Sequence, residues 1–203
     1  MYIKNEYFYH FHRNNKYSSI WKAGNQIDFT TKQLNEFSNY YNDSYFYYFF
    51  ENTNLLPLQL LQQTLEVGEH FSVLELQSRF KYLHEVIKEY AIYIRENVFE
   101  QVRSQYFSPL PSRKTCIWVC EADALEYWNK TISGEKRLIK LQLTGVIHKA
   151  DQRHLVTEIL PEKILRSFAF DYWTGADGKN PVEEELLFEG IATVVEEIES
   201  PNI

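Results

Sequence analysis

Near the C-terminal end of the chain, Glu183-Glu184-Glu185 runs into Leu186-Leu187-Phe188, and Glu189 precedes Gly190-Ile191-Ala192-Thr193-Val194-Val195. β-branched and aromatic residues of this kind suit a pleated, half-buried surface, so the stretch reads as a strand. Successive side chains of a strand alternate faces. Glu185, Leu187 and Glu189 then point one way, and Leu186, Phe188 and Gly190 the other. One face is acidic and the other is core. An edge strand guarded by charge fits the same pattern, so the choice rests on the remainder of the chain.

With 203 residues, 44% of them hydrophobic and 16% aromatic, the chain has enough apolar material to bury a core as a single unit spanning 1–203. That composition excludes disordered, collagen-like and disulfide-scaffold classes. A formal charge of −7 gives no general attraction for phosphate backbones, which disfavours non-specific nucleic-acid binding. The first residues lack a basic segment followed by an apolar one, and no run is long enough to cross a bilayer. The expectation is a cytoplasmic protein without membrane contact. Cys116 and Cys120 are the only cysteines, and their spacing on a strand is too long for a bridge, so two buried thiols are expected.

Ile3 to Arg13 is aromatic-rich and predicts the first strand, with His10 and His12 on a shared face. Ser18 to Ile27 predicts a short helical turn stopped at Gly24. The run Tyr45-Phe46-Tyr47-Tyr48-Phe49-Phe50 cannot be wholly solvated and must pack. Residues 55–107 carry helical periodicity. Leu55, Leu58, Leu61 and Leu65 define a short helix that breaks at Val67-Gly68, and Phe80, Leu83, Ile87, Ile94, Val98 and Val102 a long one. Glu85, Lys88, Glu89, Arg95 and Glu96 read as its solvated outer face. Pro109 and Pro111 end the helix. Thr115 to Cys120 and Arg137 to Ile147 then predict strands, Leu155 to Glu158 a further one, Asp123 to Trp128 a short helix, and Ser167 to Trp173 an aromatic strand.

Three stretches share an order along the chain. They are Phe8-Tyr9-His10-Phe11-His12 followed by Trp21-Lys22-Ala23-Gly24, then Pro111-Ser112-Arg113 before Cys116-Ile117-Trp118-Val119, and last Glu185-Leu186-Leu187-Phe188. Together they resemble the ADP-ribosyltransferase-like superfamily, and within it bacterial proteins with a Pro-Ser-Arg step and a Glu-x-Leu-Phe-x-Gly strand. The resemblance implies an α+β fold with a split β-sheet cleft that binds NAD as substrate, the helical block 55–107 lying between the first and later strands. It implies that His10 bonds the nicotinamide-side ribose, that Ser112 stands at the second motif, and that Glu185 is the catalytic carboxylate, with Glu189 competing for that place.

The residue types suit that chemistry. Cleaving the nicotinamide–ribose bond passes through an oxocarbenium-like sugar, which a nearby carboxylate stabilises. Nicotinamide leaves as a neutral molecule, so one carboxylate suffices. Arg113 or Arg13 would neutralise the pyrophosphate, and Trp21, Tyr172 or Trp173 would stack on a ring. Two readings follow: an enzyme that transfers ADP-ribose from NAD to a macromolecular acceptor, or a ligand- or partner-binding domain on the same scaffold without transfer. Metal-dependent hydrolysis through His10 and His12 is a third, weakened because neither His148 nor His154 supplies ligand spacing.

Overall fold

A computed structural model describes residues 1–13, 18–43, 48–50, 53–175 and 180–198. In chain order the elements are β1 (Tyr2–Arg13), β2 (Gln26–Asp28), α1 (Glu36–Asp43), β3 (Tyr48–Phe50), β4 (Thr53–Leu55), α2 (Pro57–Val67), α3 (Val73–Tyr106), β5 (Ile117–Val119), α4 (Leu125–Thr131), β6 (Lys136–Asp151), α5 (Glu162–Thr174) and β7 (Glu184–Ile198). The fold is α+β around an antiparallel sheet. Of the aromatic run at 45–50, residues 45–47 lie outside the described residues, and Tyr48–Phe50 pairs with β4 in a separate two-stranded ribbon.

The two long strands β6 and β7 pair along their length. β1 lies on the far side of β6, while β7 carries β5 at 186–188 and β2 at 191–193 along its other edge. Tyr9 and Cys120 exchange backbone hydrogen bonds of 2.9 and 2.8 Å, so the chain just past β5 reaches back to β1 and the sheet curls toward closure. Gly145 and Gly190 face each other across β6 and β7. A Cβ added to either would lie 2.7 Å from the other's Cα, a separation no side chain tolerates.

The curl gives the sheet two distinct faces. Phe8, Trp21, Ile139, Leu141, Leu186, Phe188 and Val194 pack together on the inner one. The outer one is covered by helices, with Phe99 and Val102 of α3 and Ala169, Tyr172 and Trp173 of α5 packed on Ala150 and Leu187. The acidic strand therefore has a core on both faces along its first half. Cys116 and Cys120 are buried and unlinked.

Ser72 and Glu75 form a reciprocal capping box that starts α3, which orients its donors toward the cap oxygens. Only the C-terminal half of α3 lies on the sheet layer. The expected stripe splits by helix face: Leu83, Val98 and Val102 are buried, whereas Phe80, Ile87 and Ile94, seven residues apart on another face, are each at least half exposed. In α2 the buried positions are Leu60 and Thr64, and Leu58 and Leu65 face outward.

Three other expectations are corrected. Ser167 to Trp173 is helical, part of α5, because Leu165, Ala169, Tyr172 and Trp173 recur at helical spacing between Pro161 and the left-handed Gly175. Leu155 to Glu158 is not a strand; the Leu155 and Val156 carbonyls accept from the Arg95 guanidinium at 2.8 and 3.2 Å. Arg95 and Glu96 are buried instead of solvated. Among the described residues, no helix is long and apolar enough to cross a membrane.

Candidate functional site

The Pro-Ser-Arg step lies in the loop between α3 and β5, and this loop turns its side chains inward. Ser112 is buried and its hydroxyl donates to Glu100 Oε2 at 2.9 Å. Arg113 is buried and spans two carboxylates. Its Nε donates to Glu96 Oε2 at 2.8 Å, and its Nη1 donates to Glu185 Oε2 and, at 2.6 Å, to the Tyr172 hydroxyl. Tyr172 in turn donates to Glu185 Oε2 at 2.9 Å, and Arg95 Nη2 to Glu96 Oε1 at 2.7 Å.

Two guanidiniums and two carboxylates thus balance in a desolvated layer. Burial opposes charge on Arg113, but Glu185 and Glu96 hold it ionised well above its ordinary range. Burial works against the Glu96 carboxylate as well, yet Arg113 and Arg95 bring its pKa below the usual carboxylate value. The Tyr172 hydroxyl is pushed up by burial and stays protonated. A buried pair is tolerated when its geometry and remaining hydrogen bonds are satisfied, and this cluster meets that condition.

A second group forms on the inner face. His10 Nδ1 donates to the Trp118 carbonyl at 2.9 Å, which leaves Nε2 as the bare, accepting nitrogen of a neutral ring. Burial lowers the His10 pKa. The ring stacks on Trp21 with centroids 4.7 Å apart, and His12 leans on the same indole at 5.3 Å. Burial, with His10 and Arg137 beside it, brings the His12 pKa down to about 4. Trp21 is buried, and its indole N–H has no partner among the described residues.

Strand register completes this group. His10 is opposite Ile139, and Ile139 is opposite Glu197; His12 is opposite Arg137. Cross-strand partners share a face, so His10, His12, Arg137 and Glu197 stand at one end of the inner face. Arg137 Nη1 donates to Glu197 Oε1 at 2.7 Å. The group combines an imidazole acceptor, an indole face, a cation and a carboxylate that keeps part of its surface in solvent.

The sequence-predicted residues therefore divide into two sets. Arg113, Ser112, Tyr172 and Glu185 come together under the helices. His10, His12 and Trp21 come together inside. His10 and Glu185 do not share a cleft: the β6 partner of His10, Ile139, belongs to the inner core, and that of Glu185, Ala150, to the outer. Arg13 ends β1 exposed, and Glu189 sits on the Glu185 side of β7. Arg113 is committed to internal carboxylates, so it does not present its donors to a pyrophosphate. Sequence reasoning missed Glu96, Arg137 and Glu197. Among the described residues, no group of three His, Cys, Asp or Glu side chains is placed to hold a metal ion.

The fold is that of an α+β protein with a curled antiparallel sheet and two polar groups on opposite faces. The family described as "Protein of unknown function (DUF2441)" matches residues 8–200, and the chain belongs to it. No curated protein matches the chain.

Proposed function

We propose that the protein binds NAD through the inner-face group, with His10 accepting a hydrogen bond from a hydroxyl of the nicotinamide-side ribose. The observation that carries this reading is the fixed His10 tautomer, with Nδ1 given to Trp118 and Nε2 left to accept, on a ring held against Trp21. A neutral acceptor whose ring is held in one orientation suits a ribose hydroxyl. Arg137, part-exposed and paired with Glu197, supplies the cation for the pyrophosphate.

Transfer of ADP-ribose to a macromolecular acceptor is the reaction we assign to this site. The C1′–N bond breaks with its electron pair going to the nicotinamide nitrogen. The acceptor's nucleophile then forms the new bond to C1′ and gives up its proton to solvent water. The carboxylate on the His10 face is Glu197, two strands across, about 10 Å by backbone spacing. We assign the stabilisation of the developing sugar cation to it in place of Glu185. The non-catalytic alternative draws on one observation: Glu185 has its charge matched by Arg113 and faces the helices.

Thermal denaturation with and without NAD tests the reading. NAD in excess over its dissociation constant should raise the melting temperature by mass action. His10→Phe, which keeps a ring against Trp21 and removes the acceptor, should abolish the shift. An undiminished shift in that variant would refute the site. Binding without release of nicotinamide would select the non-catalytic alternative.

A further inference from the structure

A row of apolar side chains runs along α3 at intervals of seven: Val73, Phe80, Ile87 and Ile94, each at least half exposed. That interval is close to two helical turns, so the row keeps to one face for about 31 Å at 1.5 Å per residue. Exposed apolar patches rimmed by polar groups mark places where another molecule sits. Ile94 also lines a groove of about 310 Å³ between α3 and the start of α5, together with buried Val98 and Leu165 and the amide side chains of Asn97 and Gln101. Gln101 stands one further interval along the same face. The row therefore runs into a partly apolar recess, the kind of pocket that receives an anchoring side chain. Glu162 at this groove is matched by Arg166 at 3.7 Å.

The open edge of the row is basic, in a chain whose formal charge is −7. Lys81 and Lys88 each follow a member of the row by one position, so they form a second line beside it at the same interval. Glu85 lies 3.4 Å from His84 and 3.8 Å from Lys88. It sits about 140° round the helix from Phe80, on the far side of the lysines from the row. The lysines, and not this carboxylate, stand next to whatever covers the apolar face.

We propose that this face docks an amphipathic helix of another protein, apolar at heptad spacing toward the row and carrying carboxylates opposite Lys81 and Lys88, with one apolar side chain seated in the groove past Ile94. A second copy of this chain fits less well. Antiparallel apposition about the middle of the row sets Phe80 against Ile87 but also Lys81 against Lys88, and facing like charges oppose pairing. Parallel apposition sets the lysines beside Leu76 and Leu83 of the other chain and gains no ion pair. The docking face uses no residue of the inner-face group and is independent of the NAD reading.

Two synthetic helices of about four heptads test the proposal, both with leucine at the a and d positions, one with glutamate and the other with lysine at e and g. Fluorescence anisotropy of the labelled peptides measures binding. The acidic helix should bind saturably and the basic one at least about tenfold more weakly, although the protein's overall charge draws the basic one. Phe80→Asp, at an exposed position, should abolish binding of the acidic helix and leave the melting temperature unchanged. Lys81→Glu combined with Lys88→Glu should reverse the preference. Equal binding of the two helices, an unreversed preference in the double variant, or undiminished binding in Phe80→Asp would overturn the proposal. So would sedimentation showing the protein alone as a dimer that Phe80→Asp dissociates, which would give the face to a second copy.

Discussion

The Arg113 guanidinium and the Glu185 carboxylate join directly, tying the loop before β5 to the first residues of β7. Arg113 also holds Glu96 of α3, so one side chain fastens a loop, a helix and a strand. Removing it leaves buried Glu96 with Arg95 alone and part-buried Glu185 with only the Tyr172 hydroxyl. Arg113→Ala should lower stability by about 3–5 kcal/mol, the range for breaking one partner of a buried ion pair. Glu185→Gln keeps the volume and some hydrogen bonding and should cost less, about 1–3 kcal/mol. Urea denaturation of both variants checks the order.

Glu185 and Glu197, both on β7, separate architecture from chemistry. Glu197→Gln should reduce nicotinamide release on the order of a hundred-fold, as expected for loss of a preorganised electrostatic group, and leave the melting temperature nearly unchanged. Glu185→Gln should show the converse. Release assays at saturating NAD on both variants decide it. Activity lost in Glu185→Gln at full stability would return the catalytic role to Glu185.

Acid should weaken the fold in two stages. Burial holds His12 and His148 at about 4, below the 6.5 of an open chain. Between those values the unfolded state binds more protons, so stability falls as pH drops from about 6.5 to 4, by about 1.4 kcal/mol per pH unit for each proton taken up. Glu96 has the lowered carboxyl, so its contribution is present above its unfolded pKa and lost as pH falls through its lower folded one. Urea midpoints measured between pH 7 and 4.5 should slope downward, and His148→Gln should flatten part of that slope.

Gly190 should resist every side chain. Gly190→Ala drives its methyl into the Gly145 backbone, which is held by the β6–β7 ladder, and overpacking of this sort costs roughly 1–3 kcal/mol. Thermal denaturation of the variant should show the loss, and Gly145→Ala should behave alike from the other strand.

The strands at both ends, the short helix α2 and the long helix α3 were legible because their apolar periods are strong. α5 was not, since Phe168, Phe170, Tyr172 and Trp173 carry strand-like composition while their burial follows a helix. Arg95 and Glu96 read as a solvated face because sequence shows charge and not the partner, here Arg113, that makes burial tolerable. Glu197 was hidden for another reason. Register slips between Lys140 and Leu141, and only this irregularity sets Glu197 opposite Ile139 in the row that ends at His10. A one-residue slip reverses the face of every later side chain, and no local pattern announces it.

The pairing of β1 with β6 has a kinetic consequence. Tyr2 meets Val146 and Arg13 meets Lys136, so β1 leaves the ribosome more than a hundred residues ahead of its partner. Contacts of such separation slow folding, since chain closure must precede any gain from pairing. Until residues 136–151 emerge, an aromatic-rich strand with both edges open is available to chance partners, which makes nascent chains halted before β6 the form of this protein most prone to aggregate.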